Sequence, residues 1–581
     1  MADTHRNIQM SSRLFLLCLP ATVLVALSSA NAQTASSLMD AMSTELHRAM
    51  TDLAAPAAGA KPEDRQPPYY MSYAAHDRYA VAIAAQQGAL LGSDVQHTRQ
   101  ADIVVRVGES SLDNTHGDHR ASAVHTVSLP LTEDQSAIER SLWWATNTEY
   151  RNALQTYLRV KTEQQVRAKE EDTSPDFSQE KPVTANGTPV TPPHIDTEAW
   201  NNRIKSLSAV FRNYPHIYAN FVILSVDDET SYFLSSEGTQ VVAPHRLSRV
   251  VAVAVTRADD GMDMFRAATF ESENPEGLAS QKAMLAAMDD LAASLEKLRT
   301  ASMAEPFSGP AILSGRAAAV FFHEVLGHRL EGQRQRGDRE GETFTKDVGK
   351  PILPDFMSVA DDPTQQAFQG TWLSGSYAFD DEGQPAHKVD LIDDGVLKTF
   401  LMSRLPIASF SASNGHGRAQ DGLLPTGRQG NLIVSSTKSV SDKALRQMLI
   451  DEAKKQGKPY GLYFEDISSG FAVTTRGSPQ AFSVVPLVVW RVYTDGRPDE
   501  LVRGVSIVGT PQTALKSILA TGDKSEVFNG ECGAESGTIP VSAVAPAILM
   551  SQLETQRVQQ GTARPPILPP PTAANGVEVK P

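Results

Sequence analysis

Apolar positions recur along this chain at two spacings. From Tyr69 to Gly108 the runs YYMSYAA, YAVAIAAQQG and ADIVVRVG alternate apolar with small or polar residues, the period of strands with one buried face, and predict one sheet. Residues 38 to 53 carry helical spacing and lead to that sheet through a connection rich in Pro, Ala and Gly. A long helix is predicted from Glu133 to Lys169, with Leu142, Tyr150, Leu154 and Leu158 among its apolar positions. The segment EEDTSPDFSQEKPVTANGTPVTPP then breaks it, and its prolines and polar residues read as a linker at about 169–195. A helix over Thr197 to Arg212, the hairpin-like ANFVILSVDDETSYFLSSEG, the strand RVVAVAVTR and a helix over Ser280 to Ala301 complete an N-terminal half of mixed character. From Pro310 onward strands dominate, in HKVDLIDDGVLKTFLMS, GNLIVSS, AFSVVPLVVWRVYTDG and LVRGVSIVG. The expected fold class is therefore α+β: a mixed N-terminal domain over residues 33–300, a strand-rich C-terminal domain over 301–560, and a proline-rich disordered tail over 561–581. No internal repeat is evident.

The first 32 residues have the anatomy of a secretory signal. Arg6 and Arg13 precede the apolar run LFLLCLPATVLVAL, and Ala30-Asn31-Ala32 supplies small residues for cleavage after Ala32. Leu17, the residue before Cys18, is too bulky for a lipidation site. The expected location is periplasmic or secreted, with no membrane attachment after signal removal, because no other stretch reaches about 18 apolar residues. Loss of Cys18 leaves Cys532 as the lone cysteine, so no internal disulfide can form. Its surroundings, FNGECGAESGTIPVS, are glycine-rich and predict a flexible loop, where a thiol is better suited to chemistry than to packing. The formal charge of −15 without basic clusters argues against nucleic acid as a partner.

One motif carries most of the chemistry. FFHEVLGHRLEG, residues 321–332, places His323 and His328 five positions apart around Glu324, one residue wider than the HExxH of zinc proteases. Ser314 is a candidate N-cap, and GRAAAVFFHEVL is apolar enough for a buried helix. On an ideal helix, positions five apart diverge by about 140°, so both histidines can meet one metal only through a π-type turn or a helix that stops near Gly327. Catalytic zinc takes three protein ligands and leaves one position open, and Cys532 would supply the third. Glu324 is then the candidate general base. Two ordinary histidines and a surface glutamate are the plainer alternative, and a Cys532 nucleophile activated by histidine is a third. Glu331 is placed to orient a ligand histidine. Asp380, Asp381 and Glu382 read as a turn between strands. His416 and Arg418, in SNGHGR, are candidates to line a substrate cleft or to shape a tight turn.

The motifs also occur in a recognisable order. AILSGRAAAVFFHEVLGHRLEG, FDDEGQPAHKVDLIDDGVLKTFL, SNGHGR, RGVSIVGTP and GECGAESGTIPVSAVAPAIL, spread over Pro310 to Leu553, resemble the TldD/PmbA family of metallopeptidases, whereas the N-terminal half resembles it weakly. The resemblance implies a zinc ion held by His323, His328 and Cys532, with Glu324 as general base. It also implies a dimer, either of identical chains or with a related companion that lacks HExxxH, enclosing a site for peptides or unfolded segments. The expected function is an exported zinc peptidase. The alternatives are a non-catalytic binding or scaffold subunit of such a dimer and a cysteine-nucleophile hydrolase. Two departures stand out: the export signal, since the best-known members of the family are cytoplasmic, and Gln333, where an acid is common.

Overall fold

The computed structural model describes residues 34–54, 66–122, 124–166, 172–336, 340–476, 481–558 and 564–566. The expected signal segment and most of the expected tail lie outside the described residues.

Long antiparallel strands build the first half. Pro68–Gln86 lies between Ala89–Glu109 and Ala219–Ser235, and Gln240–Arg257 continues the eight-stranded sheet. The two runs read separately from the sequence, YYMSYAA and YAVAIAAQQG, are one strand, and its partner extends back through polar residues to Ala89. That polar half escapes the alternation rule because it is largely exposed. Within Pro68–Gln86, Met71, Tyr73, Ala75, Val81, Ile83 and Ala85 are all fully or almost fully buried, and their odd numbering puts them on one face. Helices α1 (Thr34–Ala54) and α2 (Gln135–Val166) cover one end of that face, and α3 (Thr197–Ala209) and α4 (Gln281–Thr300) the other. The even-numbered residues Tyr70, Ser72, Ala74, His76 and Arg78 point the opposite way and line a cavity of about 1260 Å³.

The segment read as a linker is packed where it is described. Thr184–Asn186 pairs in parallel with Gln240–Val242, and buried Phe177 sits between the Arg106 and Arg404 guanidinium groups, each 3.9 Å from its ring centre. Its polar composition misled because its contacts are cation–π and backbone pairing, which leave no apolar periodicity.

The second half is a thirteen-stranded mixed sheet that surrounds α5 (Gly315–Val325). Every residue of α5 except Arg316 is buried, and Phe321 meets Phe482 edge-on at 5.7 Å. Ser314 caps the helix by accepting from Ala317 N at 3.1 Å and donates to Glu465 O at 2.8 Å, which ties the helix start to the strand Tyr460–Ala472. Helix α6 (Asp442–Lys455) was passed over among the strands, although Ser441 caps it and Leu445, Leu449 and Ala453 form its buried stripe.

Two stability measurements follow. Phe321→Ala should cost about 3–5 kcal/mol in chemical denaturation, because it leaves a ring-sized void under α5. Glu149 on α2 is 1% exposed, and burial pushes its carboxyl up to about 8. The folded chain then keeps a proton that the unfolded chain releases, so this residue costs stability as pH rises from about 4.5 to about 8. Glu149→Gln should be more stable than wild type by about 1–3 kcal/mol at pH 8, with the gap closing by pH 4.

Candidate metal centre

Helix α5 ends where the two histidines require it to. After Val325 the backbone turns at Leu326 (φ −113°, ψ −56°) and continues as a tighter turn over Gly327–Leu330, so His323 projects from the helix and His328 from the turn beyond it. Of the two routes open in the sequence, the chain uses the early stop. Gly327 serves close packing here: a Cβ would lie 1.9 Å from Gln429 Oε1. The carbonyls freed at the helix end are met by the buried Arg329, whose Nη1 donates to Glu324 O at 3.0 Å and Val325 O at 3.3 Å, while Nη2 donates to Val473 O and Ala481 O.

Cys532 is not in a flexible loop. It lies 5% exposed in the strand Ile518–Ala534, paired with Ile539 across the hairpin to Gly537–Arg557. Gly530 and Gly533 sit within a regular antiparallel ladder, and Gly537, at φ +86°, opens the return strand after the two-residue turn Glu535–Ser536. The hairpin carries the sulfur to the histidines: Cys532 Sγ lies 3.3 Å from His323 Nε2 and 3.3 Å from His328 Nε2. All three donors fall within 4.8 Å of one another and all three residues are buried. Two imidazole nitrogens and a sulfur at these separations suit one ion of the zinc type, whose bonds are roughly 2.0–2.3 Å long.

The surroundings organise these donors. Glu331, with no exposure, accepts from His328 Nδ1 at 3.0 Å and from Arg334 Nε at 2.7 Å, and lies 3.5 Å from Arg428 Nε. Arg428, also without exposure, donates from Nη2 to Cys532 O at 2.7 Å and from Nη1 to Ser536 Oγ at 2.9 Å. Burial alone would raise the Glu331 carboxyl, but His328, Arg334 and Arg428 hold it down at about 2. Burial would likewise discharge His328, yet Glu331 and the Cys532 sulfur outweigh it and keep the imidazole basic. For Cys532, burial favours the thiol, and the two facing imidazoles reverse that and favour thiolate. Glu324 reaches the same space, with Oε2 3.9 Å from His328 Nε2, and Gly470 makes room for it, since a Cβ there would lie 2.4 Å from Glu324 Cγ.

The remaining candidates divide. Arg418 lines the large cavity, over the Tyr377 ring at 4.7 Å, with Nη1 donating to Gln429 O and Pro540 O. His416 has no exposure, lies 3.3 Å from Asp361 Oδ1, and is no part of the cavity wall. Asp380 to Gly383 form the expected turn, closed by Gly383 N donating to Asp380 O at 3.0 Å, and all three acids also face the cavity. Gln333 donates to Glu535 Oε1 at 2.7 Å. Arg428, Arg329 and Gly470 were missed because each acts through a long-range contact that leaves no spacing in the sequence. The large cavity does not include the His323–His328–Cys532 cluster: Glu531 faces it, and the neighbouring Cys532 points to the opposite side.

Residues 307–557 match the PmbA/TldA metallopeptidase C-terminal domain. The protein named Metalloprotease TldD homolog from Buchnera aphidicola is 28% identical over 258 residues, covering 43% of this chain and 49% of that one. Its namesake from Haemophilus influenzae is 27% identical over 248 residues, covering 42% and 47%. The chain thus spans about half the length of the curated relatives it matches. TldE from Thermococcus kodakarensis has a TM-score of 0.56 at 12% identity, over 89% of this chain and 100% of that one, a likeness of fold that reaches into the N-terminal half. Residues 307–557 thus resemble the C-terminal domain of the PmbA/TldA metallopeptidases, and it is over this half that the chain is similar to the TldD relatives.

Proposed function

We propose that the chain is a zinc-dependent peptidase acting on peptides or unfolded segments. The observation that carries this reading is the meeting of His323 Nε2, His328 Nε2 and Cys532 Sγ beside the Glu324 carboxylate. A bound zinc ion supplies Lewis acidity, polarising a scissile carbonyl and easing the loss of a proton from water. The chain's own residues then have separate tasks. Glu324 takes the proton at its carboxylate and returns it to the departing amine. Glu331 holds His328 by its Nδ1, so that Nε2 stays turned toward Cys532. Arg428 holds the backbone of Cys532 and so the position of the thiolate.

The wider proposal follows from the family and from residues 1–32. The site works within a dimer, of identical chains or with a related companion subunit, and an enclosed site of that kind favours extended substrates over folded ones. The N-terminal segment directs export, with removal after Ala32, which subcellular fractionation and N-terminal sequencing would check. A thiolate between two imidazoles also favours a second reading, a cysteine nucleophile. Chelator and alkylating agent separate the two: zinc removal should abolish hydrolysis under the first reading and spare it under the second.

Glu324→Gln should keep as much zinc per chain as wild type by elemental analysis while peptide hydrolysis, followed by mass spectrometry, falls about 100-fold or more. Equal turnover would exclude Glu324 as the base, and no hydrolysis by wild type, alone or with a related subunit, would favour the binding-subunit alternative. Glu331→Gln should weaken zinc binding about 10–100-fold in competition with a chelator. Because Glu331 and the Cys532 sulfur favour the protonated form of His328, zinc must compete with that proton, so zinc affinity should fall as pH falls.

A further inference from the structure

The first sheet presents a second cluster of metal-binding side chains on the face turned away from its helices. His76 Nδ1 lies 2.8 Å from Glu229 Oε1 and 3.5 Å from Asp421 Oδ1, and the three donors fall within 4.8 Å of one another. A single ring N–H cannot satisfy both carboxylates, so the arrangement leaves two anionic oxygens facing one nitrogen. Each donor is steadied by a neighbour. Ser231 Oγ donates to Glu229 Oε1 at 2.7 Å, and Gln100 Nε2 donates to Asp421 Oδ2 at 3.1 Å, which leaves Oδ1 toward His76. The far nitrogen of His76 lies 3.9 Å from Asp102 Oδ2, a carboxylate fixed by Thr126 Oγ1 and Gly422 N, each at 2.6 Å. Arg78, on the same strand face, is already engaged by Asp227.

This repeats the logic of the first centre, where His328 turns one nitrogen to the donor cluster and the other to Glu331. We propose that His76, Glu229 and Asp421 bind a second divalent transition-metal ion, of the zinc or manganese kind, on the wall of the 1260 Å³ cavity. One imidazole and two carboxylates make a donor set of that class. The ligands come from both halves of the chain: His76 and Glu229 stand on neighbouring strands of the first sheet, and Asp421 lies on the loop before Thr426–Gly427. An ion held there would tie that loop to the first sheet on the cavity wall, where an anionic group of a ligand can approach. The site is independent of the peptidase reading.

The test is elemental analysis of the full chain after dialysis against Zn2+ or Mn2+, for wild type, E229Q/D421N and C532S. Wild type should hold about two ions per chain and each variant about one, and the cobalt form of E229Q/D421N should keep the thiolate-to-cobalt absorption of the first centre. Retention of both ions in C532S would count against the Cys532 centre alone and loss of both against the independence of the two sites, whereas the E229Q/D421N result decides the second site. A wild-type count of one, lost only in C532S, would overturn the proposal and leave His76 as an imidazolium between carboxylates. A count of two that is unchanged in E229Q/D421N would overturn it as well. Should the double variant fail to fold, Asp421→Asn alone, on its loop, should weaken Mn2+ binding at least about tenfold by electron paramagnetic resonance. Unchanged Mn2+ affinity in that variant would likewise overturn the site.

Discussion

A buried carboxylate facing a buried guanidinium, Glu331 against Arg428, joins the two pieces of chain that make the first centre. Glu331 belongs to the turn that carries His328, and Arg428 grips the backbone of the strand that carries Cys532. The residues concerned lie about a hundred positions apart or more, so nothing local holds them together. Losing one partner of such a pair strands the other charge in the interior, at a cost of about 3–5 kcal/mol. The further bonds from Arg334 to Glu331 and from Arg428 to Ser536 make up for desolvation that a lone pair would not recover.

That constraint also explains why α5 stops early. A helix continued through Gly327 would turn His328 away from His323, and the tighter turn brings their ring centres to 4.9 Å. Arg329 makes the early stop tolerable in the interior, because it donates to buried carbonyls that the helix leaves without an amide partner. Gly327 and Gly470 complete the arrangement by subtraction: one admits Gln429, the other Glu324.

The hairpin of Ile518–Ala534 and Gly537–Arg557 separates two chemically different spaces. Successive residues of a strand face opposite sides, so Cys532 enters the buried histidine cluster while Glu531 faces the polar cavity and engages Arg249 of the first sheet. The same alternation in Pro68–Gln86 gives the helices an apolar face and the cavity a row of polar side chains. One period of two thereby builds the core on one side and a charged chamber on the other.

Much of this was legible in the chain itself. Helices α1 to α5 declared themselves by apolar spacing, and Ser314 by its place before an apolar run, because caps and periodicity act over a few residues. HExxxH gave the histidines and the base as candidates, and the geometry of an α-helix alone required a break between them. Folding in three dimensions decided which break occurs, that Cys532 sits in a rigid strand and not a loop, and that the proline-rich 172–195 segment packs against both halves. It also decided that His416 is interior and that His76, Glu229 and Asp421 share one wall. The physical reason is the same each time: local pattern records backbone propensity and burial, while ion pairs, close glycine contacts and converging ligands are set by strands and loops that meet only after the chain has folded.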